Sequence, residues 1–200
     1  MVDQGDKGLR MDALDAAGNG GGLAWLNEPR EWRRDGDVVT VRADPGTDFW
    51  RTTHYGFIRD NGHLLSRPVT GDFVATVTVD GEYRDRYDQA GVMVRLDETT
   101  WMKCGVEYVD GVLLASVVVT RDVSDWSVMP LPADPGPLRL RVTRTGAAIE
   151  VHAETDGAEP AMLRLAYLTD APTVSVGLLV AAPDGAGFTA RFSGFTVDAP

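Results

Sequence analysis

From Val38 onward, apolar side chains recur at every second residue in short runs closed off by Gly, Pro, Asp and Asn. No window of about eleven residues keeps a 3.6-residue period without one of those breakers, so the chain has nothing from which to build an amphipathic helix. Its apolar side chains must be buried on sheet faces instead. In Asp72-Phe73-Val74-Ala75-Thr76-Val77-Thr78-Val79, the residues Phe73, Ala75, Val77 and Val79 share one face, and Val74, Thr76 and Thr78 the other. Similar runs fill 38–42, 90–96, 101–108, 111–120, 138–144, 147–153, 161–167, 173–180 and 188–197, separated by turns such as Asp80-Gly81, Asp110-Gly111 and Asp184-Gly185. The pattern predicts an all-β, two-sheet antiparallel sandwich.

Pro130, Pro132, Pro135 and Pro137 forbid ladder pairing across 130–137, which reads as a stiff crossing between strands and not as a linker. Residues 23–200 are therefore expected to form a single domain. Residues 1–22 end in Gly18-Asn19-Gly20-Gly21-Gly22 and are expected to be a flexible tail. Those glycines lack the preceding strand and following helix of a dinucleotide-binding loop. A two-residue turn at Thr145-Gly146 would set Val142 opposite Ile149 and Leu140 opposite Val151, with Arg141 opposite Glu150 and Arg139 opposite His152 on the other face. Beyond Phe192 the in-phase series jumps to Phe195, which predicts a bulge at Ser193-Gly194.

Thirty acidic against 19 basic residues give a net charge of −11, which repels phosphate backbones and anionic leaflets, so neither nucleic acid nor membrane is an expected partner. The longest apolar run, Val112 to Val119, falls far short of the ~20 residues that span a bilayer, and 1–22 has no apolar stretch of a signal peptide. A single cysteine, Cys104, cannot form an internal disulfide, which suits a cytoplasmic setting. It shares the apolar phase of its strand with Met102 and Val106, a poor place for a reactive thiolate. No GxSxG or P-loop occurs, and His54, His63 and His152 are scattered without HxH or HExxH spacing. Neither metal nor other cofactor is expected. The pattern carries no signal for oligomeric state.

On 101–108 the phase opposite the apolar one holds Trp101, Lys103, Gly105 and Glu107, and strand 111–120 adds Ser116 and Thr120. A sandwich sheet shows one face to solvent, so polar residues there need no function. Long charged side chains on strands that read as central, however, mark a concave polar surface. Lys103 and Lys7 are the only lysines among the 19 basic residues. Lys103 and Glu107 stand about 13 Å apart along the strand, too far to pair but placed to grip two ends of a ligand. Lys103 is expected to donate to a ligand oxygen and Glu107 to accept from a hydroxyl, with truncation of either costing no more than about 0.5 kcal/mol of stability. Trp50 and Trp126, in the polar stretches Asp48-Phe49-Trp50-Arg51 and Ser124-Asp125-Trp126-Ser127, read as loop residues that either plug the sandwich end or stack on a sugar ring.

The runs Thr47-Asp48-Phe49-Trp50-Arg51-Thr52-Thr53-His54-Tyr55-Gly56-Phe57, Tyr87-Asp88-Gln89-Ala90-Gly91-Val92-Met93-Val94, Trp101-Met102-Lys103-Cys104-Gly105-Val106-Glu107-Tyr108 and Val117-Val118-Val119-Thr120 with Ser124-Asp125-Trp126-Ser127 occur in that order. Together they resemble the "regulation of enolase protein 1"-like family of domains of unknown function, from about Leu23 to Val197. The resemblance implies a concanavalin A-like jelly roll, an architecture shared with lectins and some glucanases. It carries no catalytic residues over, but it marks Asp48, Trp50, His54, Tyr87, Asp88, Gln89, Lys103, Glu107, Asp125 and Trp126. With Trp101, all of these but Asp48 make up the expected ligand-binding set. The ExDxE-like carboxylate run of the superfamily's glucanases is missing, and no dense Asp/Asn loop suggests a lectin calcium site. The expected function is thus a non-catalytic binding or regulatory module for a saccharide or small polar ligand. The alternatives are a glycan-active enzyme and a protein-interaction domain without a small-molecule site.

Overall fold

Alternation along the strands places the apolar side chains on the facing surfaces of two seven-stranded antiparallel sheets in the computed structural model, which describes residues 22–155 and 158–200. The expected tail at 1–22 lies, except for Gly22, outside the described residues. In chain order the strands are β1 (Ala24–Leu26), β2 (Glu31–Asp35), β3 (Val38–Arg42), β4 (Phe49–Arg51), β5 (Ile58–Asp60), β6 (His63–Thr70), β7 (Phe73–Gly81) and β8 (Gln89–Arg95). They continue with β9 (Thr100–Val109), β10 (Val112–Arg121), β11 (Val123–Pro130), β12 (Leu138–Thr145), β13 (Ala148–Glu154), β14 (Ala161–Tyr167), β15 (Thr173–Ala181) and β16 (Thr189–Asp198). One sheet has the order β1-β6-β15-β8-β9-β10-β11, the other β14-β13-β12-β7-β16-β3-β2, and β4 pairs with β5 alone.

The main core lies between the sheets, where Val92, Met102, Cys104 and Val117 of the first face Val77, Leu140, Val151 and Phe192 of the second. All ten runs read from the alternation are strands. The six strands that alternation did not reveal have specific causes. All five residues of β2 are exposed, so it carries no buried phase. Strand β6 contains Pro68, which lies beyond the reach of three-residue β1 and so needs no partner for its missing N–H on that side.

Several expectations are corrected. The 138–154 hairpin turns at Gly146-Ala147, not Thr145-Gly146, so Val142 faces Val151, Arg141 faces His152 and Arg144 faces Ile149. Gly146 holds φ 58, the left-handed conformation that a type II′ turn requires at its first central residue. The slip is two residues, so every side chain keeps its expected face. Gly81 does not turn but ends β7 opposite Ala190, whereas Asp110-Gly111 does turn β9 into β10. Pro130 joins a ladder after all, opposite Leu114 at the sheet edge; the next N–H, of Leu131, donates to Leu113 O at 3.0 Å, so the side lacking a donor points outward. Neither Trp50 nor Trp126 is in a loop: they lie in β4 and β11. The expected bulge in β16, by contrast, is present: the register shifts between Ser193 and Thr196, with Gly194 at φ 62.

A second apolar cluster covers the outer face of the first sheet. There Phe49 and Trp50 of the β4-β5 hairpin pack on Leu64, Met93, Trp101, Val118 and Leu179. Arg95 ties the hairpin down with a two-pronged pair to Asp60, at 2.7 and 2.8 Å, and the Arg51 N–H donates to Ser124 Oγ at 2.9 Å. That face is therefore roofed at one end, and the roof sets the wall of the site.

Candidate functional site

Strands β8, β9, β10 and β11 are successive neighbours, so alternation brings Gln89, Lys103, Glu107, Ser116 and Trp126 onto one face beside the hairpin. Between Gln89-Glu107 and Met93-Lys103 the cross-strand pair is Gly91-Gly105. A Cβ at Gly91 would stand 1.9 Å from Cys104 O, and one at Gly105 2.1 Å from Ala90 O, so the two central strands pass too closely for any side chain there. Gln89, Lys103 and Glu107, on either side of this bare pair, line a cavity of about 440 Å³.

The floor of this cavity is polar and buried. Lys103 Nζ donates to Phe49 O at 2.7 Å and pairs with Asp48 Oδ1 at 3.2 Å. Gln89 Nε2 donates to Tyr87 O at 3.1 Å and to Asp48 Oδ1 at 3.4 Å. Glu107 Oε2 accepts from Ser116 Oγ at 2.7 Å and from Trp126 Nε1 at 3.0 Å. Burial, the largest influence on Glu107, pushes its carboxyl above the ordinary value, against the pull of Lys103, Ser116 and Trp126. Among the described residues, Glu107 Oε1 and Asp48 Oδ2 have no protein hydrogen bond, which leaves both oxygens to the cavity.

The walls are aromatic. Trp50 meets Tyr55 edge to face at 5.5 Å, Tyr55 stacks on Phe57 at 5.5 Å, and Tyr87 meets Trp126 at 6.4 Å. The hydroxyls of Tyr55 and Tyr87 lie 2.8 Å apart and join the hairpin loop to the segment before β8. Burial and this bond push the Tyr87 phenol up to about 12. The loop carrying Tyr55 is tightly wound: Thr52 and His54, both at φ 63, each sit at the centre of a three-residue turn, closed by Thr53 N to Arg51 O and Tyr55 N to Thr53 O. Such γ-turns at positive φ are rare and strained, and strain of this kind collects where side chains must be held in place.

Of the expected site residues, Trp50, His54, Tyr87, Gln89, Lys103, Glu107 and Trp126 line the cavity, as does Asp48. Three do not. Trp101 is fully buried beneath Phe49, their rings 6.2 Å apart. Asp88 is also fully buried, and its Oδ2 accepts from the backbone N–H groups of Arg84 and Asp85, so it shapes the segment that presents Tyr87. Asp125 points outward and pairs with Arg164 at 3.3 Å. Tyr55, Phe57, Arg86, Pro183 and Asp184 complete the lining and escaped the sequence reading. Tyr55 and Phe57 did stand at the end of the Thr47–Phe57 run that carries the family resemblance, as the aromatic run Tyr55-Gly56-Phe57. Lys103 and Glu107, expected to face solvent, are 5% and 6% exposed: the hairpin covers Lys103, and Ser116 and Trp126 close on Glu107. The Cys104 thiol lies in the core on the other side of the sheet, where burial pushes it up to about 12. Among the described residues no group of three or more His, Cys, Asp or Glu could hold a metal ion.

The family model described as "Protein of unknown function (DUF1349)" matches residues 25–200. The chain is 37% identical to "Regulation of enolase protein 1" of Saccharomyces cerevisiae over 176 residues, 88% of this chain and 89% of that one. A crystal structure described as that of a functionally unknown protein from Saccharomyces cerevisiae superposes with a TM-score of 0.85 at 36% identity, covering 89% of this chain and 96% of the other. Two carbohydrate-related structures share the fold at lower identity. The carbohydrate binding module CBM66 from Bacillus subtilis has a TM-score of 0.58 at 14% identity, covering 88% and 95% of the two chains. The GH43 protein BlXynB (K247S mutant) from Bacillus licheniformis has a TM-score of 0.72 at 18% identity, with this chain spanning 40% of its length. The architecture is thus the jelly-roll sandwich of those proteins.

Proposed function

The chain belongs to the DUF1349 family of proteins of unknown function, and from that membership and the site geometry we propose a non-catalytic binding or regulatory module that takes a saccharide-like polar ligand on its concave face. The observation that carries this reading is one cavity with aromatic walls and a buried polar floor. Aromatic rings stack on the apolar faces of a sugar, while fixed acceptors and donors read its hydroxyls. Glu107 Oε1 and Asp48 Oδ2 supply the acceptors, and the Lys103 ammonium, with two of its three donors already engaged, supplies one more contact. A carbohydrate binding module of the same fold supports the reading by analogy of architecture alone. The word "regulation" in the name of the yeast relative suits a module whose ligand informs another protein's activity. A cytoplasmic setting goes with it, since the one cysteine is buried and has no partner thiol.

The test is calorimetric titration of the protein against a panel of mono- and oligosaccharides, repeated with Trp126→Ala and Trp50→Ala. Saturable binding that weakens at least tenfold in both variants supports the reading, and the absence of saturable binding to every sugar overturns it. A second reading, a glycan-active enzyme, is favoured by one observation: two carboxylates, Asp48 and Glu107, border one cavity with an oxygen free on each. Release of chromophore from aryl glycosides, lost in Glu107→Gln, would replace the binding reading with this one.

A further inference from the structure

The uncommitted groups of the cavity are unbalanced. The free oxygens of Glu107 and Asp48 are acceptors, whereas most of the donor capacity of the floor is already spent inside the protein. Lys103 serves Phe49 O and Asp48, Gln89 Nε2 serves Tyr87 O and Asp48, and the Trp126 N–H serves Glu107 and Ser116. The charges are unbalanced in the same direction. Lys103 is engaged by Asp48 at 3.2 Å, and Arg86 lies over the Tyr87 ring and pairs outward with Asp110 at 3.3 Å. Glu107 therefore has no positive group in hydrogen-bond contact, only Ser116 and the Trp126 indole. Its raised proton affinity, caused first by burial and only partly offset by the nearby charge of Lys103, is what a buried carboxylate with incomplete compensation displays. Around it stand Trp50, Tyr55, Tyr87 and Trp126, rings whose electron-rich faces attract cations.

We propose that the ligand of this cavity carries a protonated amine, as an amino sugar does, and that Glu107 Oε1 is the group that recognises it. The inference rests on the saccharide reading above and names its ligand class. It disfavours anionic sugars: a uronate or sugar phosphate would bring its charge against two free carboxylate oxygens, and the cations it could meet, Lys103 and Arg86, are already engaged by Asp48 and Asp110. An ammonium donates to Glu107 Oε1, compensates the buried charge and lies among the aromatic rings. A charge-assisted bond of this kind is about twice as strong as its neutral counterpart.

The experiment titrates the full chain with matched pairs that differ only in an amine replacing a hydroxyl: glucosamine against glucose, galactosamine against galactose, mannosamine against mannose. The expected result is at least one pair in which the amine binds tenfold or more tighter, with the advantage lost in Glu107→Gln. Glutamine keeps an acceptor for Ser116 and Trp126 while removing the charge. If that variant does not fold, the N-acetylated sugars decide on the parent protein, because they keep the ring and lose the charge, and they should fall back to the affinity of the hydroxyl sugar or below. Equal binding of both members of every pair overturns the amine inference and leaves the saccharide reading standing. An amine advantage that survives Glu107→Gln overturns the role of Glu107, and one that persists on N-acetylation overturns the amine inference itself, because the charge is then not what is recognised. No binding by any member of the panel overturns the saccharide reading, and the inference falls with it.

Discussion

Lys103 Nζ donates to the carbonyl oxygen of Phe49 at 2.7 Å, across 54 positions of sequence, and so bonds a central strand of the sheet to the hairpin that roofs it. The lysine therefore serves first as a strut. Its second partner, Asp48 Oδ1, also accepts from the Phe49 N–H at 2.7 Å, so one carboxylate oxygen joins the ammonium to the start of the hairpin. The recognition chemistry of the cavity falls to the groups this strut leaves free.

Lys103→Ala should consequently destabilise the protein, against the small cost expected for a solvent-facing residue. Removing the ammonium leaves Phe49 O without its partner and Asp48 without its counter-charge, in a place where both are largely shielded from water. Losing one member of such a pair costs about 3 kcal/mol. Urea denaturation of the variant measures it, and a change below about 0.5 kcal/mol would return Lys103 to the class of surface residues.

Glu107→Gln should behave in the opposite sense. The folded carboxyl titrates above its ordinary value of 4.5, so between that value and the raised one the folded state holds more protons than the unfolded state. The parent therefore loses stability as pH rises through that window and recovers it as pH falls. The variant has no such group, so its melting temperature relative to the parent should climb across the window and level off above it. A difference independent of pH would mean that Glu107 is not penalised by burial.

The alternation made the sandwich legible because a period of two fixes which face each side chain takes, and ten strands could be read from it alone. It could not fix the 138–154 register, since a slip of two residues preserves every face; only the left-handed Gly146 separates the alternatives. Arg144 was invisible for a related reason: it sits in the apolar phase, yet it is buried because its guanidinium donates to the carbonyl oxygens of Gly146, Thr169 and Ala171. At the site, phase identified Lys103 and Glu107 but not their burial. For Lys103 that depends on β4 and β5, three residues each and too short to show any period, and for Glu107 on Trp126 of the neighbouring strand.

Gly91→Ala and Gly105→Ala should each cost about 3 kcal/mol or more, although alanine is small and both positions lie in regular strands. The added methyl would meet backbone in either case, Cys104 O or Ala90 O, and backbone in the middle of a sheet cannot step aside. Thermal unfolding checks this. Gly111→Ala is a useful contrast, since a Cβ there meets nothing within 4 Å and the cost is that of its positive φ alone.

Chelation should leave the protein unchanged. No cluster of three metal-ligating side chains occurs among the described residues, so those residues offer EDTA no structural ion to strip. The melting temperature in EDTA should match that in buffer, and a drop of several degrees would point to a metal held in some other way.

Arg95→Ala should loosen the site from a distance. Arg95 lines no part of the cavity, but its two bonds to Asp60, with its guanidinium 5.8 Å from the Phe49 ring centroid, hold the far strand of the hairpin whose near strand carries Trp50. Asp60 is about a third exposed, so the pair is partly screened and its loss should cost only about 1 kcal/mol globally. The local effect should be larger: amide hydrogen exchange across 49–60 should quicken while the main core stays protected, because the pair anchors the far strand of the hairpin directly. Any saccharide that binds the parent should bind this variant more weakly. Arg95→Lys, which keeps the charge but replaces the two-pronged fork with a single point of contact, should restore stability more fully than hairpin protection. Uniform exchange in Arg95→Ala and the parent would show that the Phe49 and Trp50 cluster secures the hairpin without the ion pair.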